Sequence, residues 1–205
     1  MKKIVLIFLL TSPAFISKAQ LAVKFYNYRP TGEFGFVMKP TFSAEVAYMR
    51  SFEDDKPFRS AISISYLSMK TRMDTFPTTG WISDGTTGIV LPGYQVFQKY
   101  DIIQFYAGMD WGFIRKDPYF VYIGLDFTGG FTSIAYTSFT EQISNEGYTG
   151  GGMLAGYRAR IGAEYDVNDM IGIFAHVERT GWVNSEPASR NSANMYGIGV
   201  KLNFE

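Results

Sequence analysis

Hydrophobic alternation is the feature that most constrains the fold of this chain. Between residues 101 and 114, every second side chain is apolar, and the positions between them carry polar, small or less apolar residues. The apolar row consists of Ile103, Phe105, Ala107, Met109, Trp111 and Phe113, and the other row of Gln104, Tyr106, Gly108, Asp110 and Gly112. Successive side chains of a β-strand point to opposite faces, so this pattern predicts one long strand with a single apolar face.

The same alternation recurs along most of the chain. It is clear over residues 34–48, 119–131, 153–167, 171–177 and 196–204, and weaker over 21–28 and 59–72. Several of these segments reach twelve residues or more, whereas strands of water-soluble proteins usually have about five or six. Long tilted strands are typical of segments that cross the hydrocarbon core of a bilayer. The count of predicted strands is eight.

The composition of the two faces favours a membrane barrel over a β-sandwich or a lipocalin-like barrel. A water-soluble barrel places Phe, Ile and Leu inside and charged residues outside. Here the polar face combines glycine with Arg, Lys, Glu and Asp, and the other face carries large aliphatic and aromatic side chains. This arrangement is expected when lipid surrounds the barrel. The chain is therefore predicted to be all-β, a transmembrane antiparallel up-and-down β-barrel.

Predicted connections between the strands alternate between short and long. Short polar turns are expected at residues 53–57, 115–118 and 167–169, and longer segments rich in Gly, Ser, Thr and Asn at 73–95, 140–150 and 184–193. Short periplasmic turns and long extracellular loops are the rule for bacterial outer-membrane barrels. Ten strands are the alternative, if residues 81–91 form a hairpin embedded in the wall. Otherwise Trp81 lies in a long loop, where an exposed aromatic side chain could contact a partner.

The N-terminus has the pattern of an export signal. Met1-Lys2-Lys3 is a positive start, residues 4–10 are an unbroken apolar run, and Ser17-Lys18-Ala19 offers small side chains at the −3 and −1 positions. The apolar run is too short for the roughly 20 residues of a membrane-spanning helix. We predict a signal peptide at residues 1–19 and one outer-membrane β-barrel domain at residues 20–205.

Composition excludes several classes of function. Without its first nineteen residues, the chain has 16 basic and 19 acidic residues. This balance offers no basic footprint for nucleic acid, so nucleic acid is not an expected partner. There are no cysteines, which excludes disulfides, thiolate metal sites, cysteine nucleophiles and a lipidated N-terminal cysteine.

These features together resemble a known group of proteins. The signal ending at Ala19-Gln20, the alternating strands and the closing segment 196–204 are similar to small outer-membrane β-barrel domain proteins of the kind common in Bacteroidetes-type bacteria, with OmpA-like or OmpX-like eight-stranded barrels. The resemblance implies an outer-membrane location, contact with outer-membrane lipid and lipopolysaccharide, and assembly by the barrel-assembly machinery. That machinery reads a final aromatic residue, and here Glu205 follows Phe204. An envelope protein of unknown identity is a further expected partner.

An eight-stranded barrel has an interior that side chains can fill, so a wide pore is not expected. The inward charged residues are predicted to form a lumenal ionic network of four positive and five negative side chains, because an unpaired buried charge costs several kcal/mol. Its members, with one histidine, are Lys39, Glu45, Asp110, Asp126, Arg158, Arg160, Glu164, His176, Glu178 and Lys201. A three-residue turn at 167–169 would place Asp166 opposite Met170, Arg160 opposite His176 and Arg158 opposite Glu178.

Two clusters could in principle carry chemistry. His176 lies two residues from Glu178 on the inward face, and a histidine beside a carboxylate can act as a general base. Asp110 and Asp126 lie on neighbouring strands, and paired carboxylates can serve acid-base catalysis or bind a metal. Neighbouring arginine side chains account for all four residues without chemistry. The sequence therefore predicts no catalytic residue, cofactor or metal.

Four roles follow as hypotheses from this sequence. The preferred one is a structural or partner-docking barrel of the bacterial envelope. The others are an accessory barrel of a secretion or surface-assembly machine, a lipid-modifying enzyme and a narrow channel. Aromatic residues near predicted strand ends are expected to anchor the barrel at the level of the lipid headgroups. They are Tyr94, Tyr100, Trp111, Tyr119, Trp182 and Tyr196.

Overall fold

Nine strands and one short helix make up the part of the chain that the structure describes. The computed structural model describes residues 19–51, 57–83, 88–140, 146–183 and 192–204. The elements are β1 (Ala19–Thr31), α1 (Gly32–Val37), β2 (Thr41–Ser51), β3 (Phe58–Met69), β4 (Phe76–Ser83), β5 (Gly88–Lys116), β6 (Tyr119–Thr140), β7 (Glu146–Asp166), β8 (Ile171–Trp182) and β9 (Ser192–Phe204). Within these residues, no helix is long and apolar enough to cross a membrane.

Eight of the strands close into a barrel. Neighbours pair antiparallel in the order β3-β2-β1-β9-β8-β7-β6-β5, and β3 pairs with β5 to close the ring. This confirms the predicted eight-stranded antiparallel barrel. The fourth strand, β4, pairs only with the first part of β5, from Phe76 opposite Gln95 to Ser83 opposite Gly88. The ten-stranded alternative is therefore wrong, since the extra hairpin stays outside the ring.

The two ends of the barrel differ in their connections. The end where β1 begins and β9 ends, here the terminal end, also carries short connections at residues 117–118 and 167–170. The opposite end, here the loop end, carries α1 and the hairpin of β4 and β5. Strands β5, β6 and β7 have 29, 22 and 21 residues and run beyond the ring at the loop end. With β4 they form a four-stranded extension, the protruding sheet (residues 76–83, 88–99, 133–140 and 146–152).

The outer wall of the barrel is apolar across a continuous band. On β5, the outward residues from Ile103 to Phe113 are exposed and, apart from Ala107, large and apolar. The eleven residues of this stretch match the about 9–11 residues that a tilted strand needs to cross a bilayer. The same faces on the other ring strands are also exposed, with Phe127 at 83%. We call this surface the apolar band.

Charged residues mark the end of the apolar band on the loop side. Asp101 lies two residues before Ile103, on the loop side of the outward row of β5. Its carboxylate lies 3.1 Å from the Lys99 ammonium. Burial raises the pKa of Asp101, but hydrogen bonds from Ser68 and Lys99 outweigh this and leave the pKa below its usual value. Asp101 is therefore charged at neutral pH, as expected of a residue that lies outside the hydrocarbon layer.

An apolar core fills the barrel interior toward the loop end. We call it the loop-end core; its buried members are Tyr26, Tyr28, Phe34, Met38, Leu67, Met69, Ile102, Leu154, Trp182, Ala193 and Met195. Tyr100 packs against it from the side. The predicted headgroup-level positions of Trp182 and Tyr100 are therefore wrong, because both rings turn inward. Tyr94 lies in the protruding sheet, whereas Trp111, Tyr119 and Tyr196 are exposed on the outer wall.

The helix α1 covers the loop-end core. It occupies the first part of the segment 34–48 that was predicted to be a strand. Gly32 adopts a left-handed conformation (φ 62°) that turns the chain away from β1. Phe34 and Met38, four residues apart, are then buried on one side, while Phe36 is 79% exposed. The Met38 amide donates to the Phe34 carbonyl at 2.9 Å. Only the part of the prediction from Thr41 onward is a strand.

Two further expectations concern segments predicted as loop or signal. Trp81 lies in strand β4, opposite Val90, rather than in a loop. Strand β4 and the first part of β5 form this hairpin, so the long predicted loop at 73–95 is mostly strand. The predicted signal peptide lies outside the described residues, except for Ala19, where β1 begins.

Candidate functional site

Ten charged side chains of the described residues lie buried inside the barrel and form its most distinctive chemical feature. Each belongs to a residue at most 4% exposed, and every one of the eight ring strands contributes at least one. The cations are Lys24, Arg59, Arg158, Arg160 and Lys201, and the acids are Glu45, Asp110, Asp126, Glu164 and Glu178. We call this set the lumenal ionic cluster. Its five positive and five negative groups balance, as burial in a medium of low dielectric requires.

Arg158 on β7 occupies the centre of the cluster. Its guanidinium lies 2.6 Å from a Glu45 carboxylate oxygen, 2.6 Å from Asp126 and 3.2 Å from Glu178. The guanidinium carbon also lies 3.6 Å from the centre of the Tyr106 ring, a cation–π arrangement. Arg158 thus links carboxylates from β2, β6 and β8 across the lumen.

Two further arginines extend the network of ion pairs toward the terminal end. The Arg160 guanidinium contacts Asp110 at 2.7 Å and also pairs with Asp126. Arg59 lies 2.9 Å from Asp110 and 2.6 Å from Glu164. Asp110 and Asp126 therefore each have two arginine partners. Among the described residues, no group of three or more His, Cys, Asp or Glu could hold a metal ion.

Lysine side chains complete the network at two positions. The Lys24 ammonium lies 3.0 Å from Glu45. Near the terminal end, the Lys201 ammonium lies 2.8 Å from Glu164 and 3.0 Å from Asp166. A small cavity of about 120 Å³ opens at this end, beside Arg59, Glu164 and Lys201. Because the charged groups there are already paired, the cavity offers no unpaired charge from the cluster to a ligand.

His176 on β8 is enclosed by aromatic rings rather than open to a substrate. Its side chain is fully buried, and its Nε2 lies 3.7 Å from a Glu178 oxygen. The Tyr26 ring lies 4.8 Å away and the Phe174 ring 5.5 Å away, centre to centre. The Tyr26 hydroxyl donates to Glu45 at 2.6 Å. The imidazole therefore packs inside the lumen as one more filling side chain.

The structure brings together nine of the ten residues predicted for the lumen. The exception is Lys39, whose predicted lumenal position is wrong. Lys39 follows α1, is exposed at the loop end, and its amide donates to the Lys70 carbonyl at 2.8 Å. The cause is the helix, which breaks the alternation from which its direction was inferred.

Sequence reasoning missed Lys24 and Arg59. Lys24 is a lone charge between the outward residues Val23 and Phe25, and this interruption of an apolar run was a usable signal. Arg59 is the second residue of β3. Arg59 lies next to the turn predicted at residues 53–57, so its side chain was not assigned to the inward face.

The predicted register between β7 and β8 is also wrong, by two residues. Arg160 lies opposite Glu178, Arg158 opposite Thr180, and His176 opposite Gly162. The turn is longer than predicted, because the Asn168 side chain accepts hydrogen bonds from the amides of Met170 and Ile171 (2.9 and 2.8 Å). A shift of two residues preserves the faces, so Arg158 and Glu178 still meet on a diagonal.

The closed ring, the apolar band and the charged lumen define the fold of a small eight-stranded outer-membrane barrel. No family model matches the sequence, and no curated protein matches it. Among solved structures, the fold is similar to Neisserial surface protein A, with a TM-score of 0.61, 12% identity, and coverage of 92% of this chain and 99% of that one.

Two other solved structures share the fold at similarly low identity. One is a major outer membrane protein from Thermus thermophilus, with a TM-score of 0.57, 10% identity and coverage of 91% of this chain and 99% of that one. The other is Ail, the attachment invasion locus protein of Yersinia pestis, with a TM-score of 0.51, 11% identity and coverage of 93% and 100%. These likenesses show the shared architecture.

Proposed function

We propose that this protein is an outer-membrane barrel with a structural or partner-docking role, without ion conduction or enzymatic activity. In this proposal residues 1–19 are removed as a signal peptide, and the barrel-assembly machinery inserts the rest. The observation that carries the proposal is a lumen filled with side chains beneath a protruding sheet. The apolar band supports the membrane location, because lipid is the one solvent that suits its exposed Phe, Ile and Leu side chains.

The filling of the lumen argues against a channel. The loop-end core and α1 occupy the interior toward one end, and the lumenal ionic cluster occupies the part below it. An ion that entered would have to displace paired charges such as those around Arg158. Conduction requires sites that ions can enter and leave readily, and a lumen filled by paired charges is the opposite of such a path.

The protruding sheet supports a docking role. A row of aromatic rings crosses all four of its strands on one face: Phe76 and Phe97 lie 5.5 Å apart, Phe97 and Tyr136 5.3 Å, and Tyr136 and Tyr148 4.8 Å. Tyr148 is 51% exposed. Exposed aromatic side chains are enriched where proteins bind one another. The partner class that we propose is another envelope protein, including a component of a secretion or surface-assembly machine.

The burial of His176 supports the absence of catalysis. A general base must come within hydrogen-bond reach of a substrate proton, and the rings of Tyr26 and Phe174 close around this imidazole. Glu178, the carboxylate beside it, is paired with Arg158. Glu178 thus has an ion-pair partner, and ring packing accounts for the position of His176.

Single-channel recording on protein reconstituted in planar bilayers tests the filled lumen. We expect no steady conductance at moderate voltage. Steady unitary currents would contradict the proposal and favour the narrow channel. A change in the lipid A profile between cells with and without the protein, lost in a His176→Ala variant, would favour the lipid-modifying enzyme.

Crosslinking in intact cells followed by mass spectrometry tests the docking role. We expect one envelope protein to recur in stoichiometric amount and to be lost when Tyr136 and Tyr148 are both replaced by alanine. The matched control replaces Tyr94 and Phe139, a stacked pair on the opposite face of the same sheet. Equal recovery from both double variants, or no recurring partner, would contradict docking through the aromatic row.

A further inference from the structure

The barrel wall has a gap at its loop end, between β3 and β4. The last pair between β3 and β5 is Met69 with Tyr100, and pairing of β5 with β4 resumes only at Gln95. Residues 96–99 of β5 pair with β6 on one side, with a bulge at Gln98, and pair with neither β3 nor β4 on the other. A cavity of about 230 Å³ occupies this opening. We call it the rim pocket.

Three lysines surround the rim pocket. Lys39, Lys70 and Lys99 line it, together with one acid, Asp74, so its formal charge is positive. The hydrogen bond from the Lys39 amide to the Lys70 carbonyl holds the first two lysines side by side. No ion pair joins either of them to another residue in the described part of the chain, whereas Lys99 contacts Asp101.

Backbone polar groups also face the rim pocket. In an antiparallel sheet, alternate residues of a strand direct their hydrogen-bonding groups to opposite sides. Part of the backbone at residues 96–99 therefore faces the opening, where β3 and β4 provide no partner strand. The amide donors among these backbone groups can contact an anion together with the ammonium groups.

The position of the rim pocket relative to the apolar band indicates where such an anion would come from. Lys70 extends the outward row of Ile64, Tyr66 and Ser68 on β3. Its Cα lies about 13 Å along the strand beyond that of Tyr66, at about 3.3 Å per residue. This is the level of lipid headgroups just outside the hydrocarbon layer, where lysine side chains commonly extend toward polar groups.

We propose that the rim pocket binds a phosphate on the headgroup of an outer-leaflet glycolipid of the lipopolysaccharide class. Lys39, Lys70 and Lys99 contact the phosphate, and Met69 and Phe97 line the pocket beside them. Charge complementarity selects the phosphate, since the three ammonium groups outnumber the two nearby carboxylates, Asp74 in the pocket lining and Asp101 paired with Lys99. The inference rests on the membrane location under the proposed function and adds a specific lipid contact to it.

Lipid binding by the full-length mature protein in detergent tests the rim pocket directly. Native mass spectrometry measures the affinity for diphosphorylated lipid A and for the same lipid with both phosphates removed. We expect the wild type to prefer the phosphorylated form. Replacing Lys39, Lys70 or Lys99 singly by glutamine should weaken binding about fivefold each, in line with about 1 kcal/mol per lysine at an anionic surface.

The matched control is Lys116→Gln, which removes an exposed lysine at the terminal end. We expect it to bind phosphorylated lipid A like the wild type. The folded state of each variant is checked by its heat-dependent electrophoretic mobility. Equal binding of both lipid forms, or equal loss in the Lys116 and rim variants, would overturn the inference.

Two further outcomes separate possible failures. If millimolar inorganic phosphate displaces the phosphorylated lipid and binds alone as tightly, the site takes free phosphate and the lipid assignment is wrong. If the wild type inserts into bilayers but shows no preference for phosphorylated lipid, only the rim pocket fails. If the wild type does not insert into bilayers, the proposed membrane location fails as well.

Discussion

Arg158 contacts carboxylates from three different strands, and its loss would leave them without their shared cation. We predict that Arg158→Met lowers the free energy of unfolding by about 3–5 kcal/mol, because Glu45, Asp126 and Glu178 would stay buried with too little positive charge. Urea unfolding in lipid vesicles measures the change. The control is Arg179→Met on the exposed side of β8, with an expected change within about 0.5 kcal/mol. Equal effects of the two substitutions would contradict the account of the cluster.

Gly197 on β9 leaves room for the imidazole of His176 on the neighbouring strand. A Cβ at this position would collide with His176 and Tyr26. We predict that Gly197→Ala costs about 1–3 kcal/mol of stability through overpacking. Gly129→Ala is the matched control, because a Cβ there meets no atom within 4 Å. Thermal unfolding of both variants in the same detergent makes the comparison, and a stable Gly197 variant would show that the lumen is loosely packed.

At the residue level, the sequence predicted side-chain direction well where alternation was unbroken. The inward positions of Asp110, Asp126, Arg158 and Arg160 follow from rows of apolar residues on either side of them. The prediction for Lys39 was wrong because the alternation of a strand was extended through a segment that is helical. Pairing partners were not predictable, because an arginine side chain spans several residues of strand and selects among carboxylates on other strands.

At the level of elements, α1 is the part of the fold that most affects access to the lumen. Phe34, on the buried side of this helix, is 6% exposed and packs against Tyr100 with 5.7 Å between ring centres. We predict that Phe34→Ala lowers stability by about 3 kcal/mol, the lower end of the range for removing a buried phenylalanine. Phe36→Ala is the control on the same helix, since that ring is largely exposed, and it should have little effect. Urea unfolding in vesicles checks both, and equal effects would contradict the burial of Phe34.

The two elements that sequence reasoning mistook have different local causes. Phe34, Phe36 and Met38 fit a period of two, and Phe34 and Met38 also fit the four-residue spacing of a helix, so a short apolar run is ambiguous. The β7–β8 turn was mistaken because one side chain, Asn168, lengthens it. Turn length depends on such local hydrogen bonds, whereas the faces of a strand depend only on the parity of its residues.

At the level of the whole molecule, the lumenal ionic cluster joins all eight ring strands. Lys24 on β1, Glu45 on β2 and Arg158 on β7 form one connected chain of ion pairs, although these strands are distant in sequence. These ion pairs stabilise only the closed ring, because an open sheet would leave the charged side chains unpaired. The overall architecture was predictable from the sequence because the alternation reports which face meets lipid along each strand.

The orientation of the barrel wall is the central claim, and nitroxide scanning along β6 tests it most directly. The chain has no cysteine, so single cysteines at Tyr122, Ile123, Phe127 and Thr128 can each carry one spin label in lipid vesicles. The account predicts high collision with oxygen, which concentrates in acyl chains, at Ile123 and Phe127, and low collision at Tyr122 and Thr128. Labels at Ile123 and Phe127 that instead collide with a water-soluble nickel complex would contradict it.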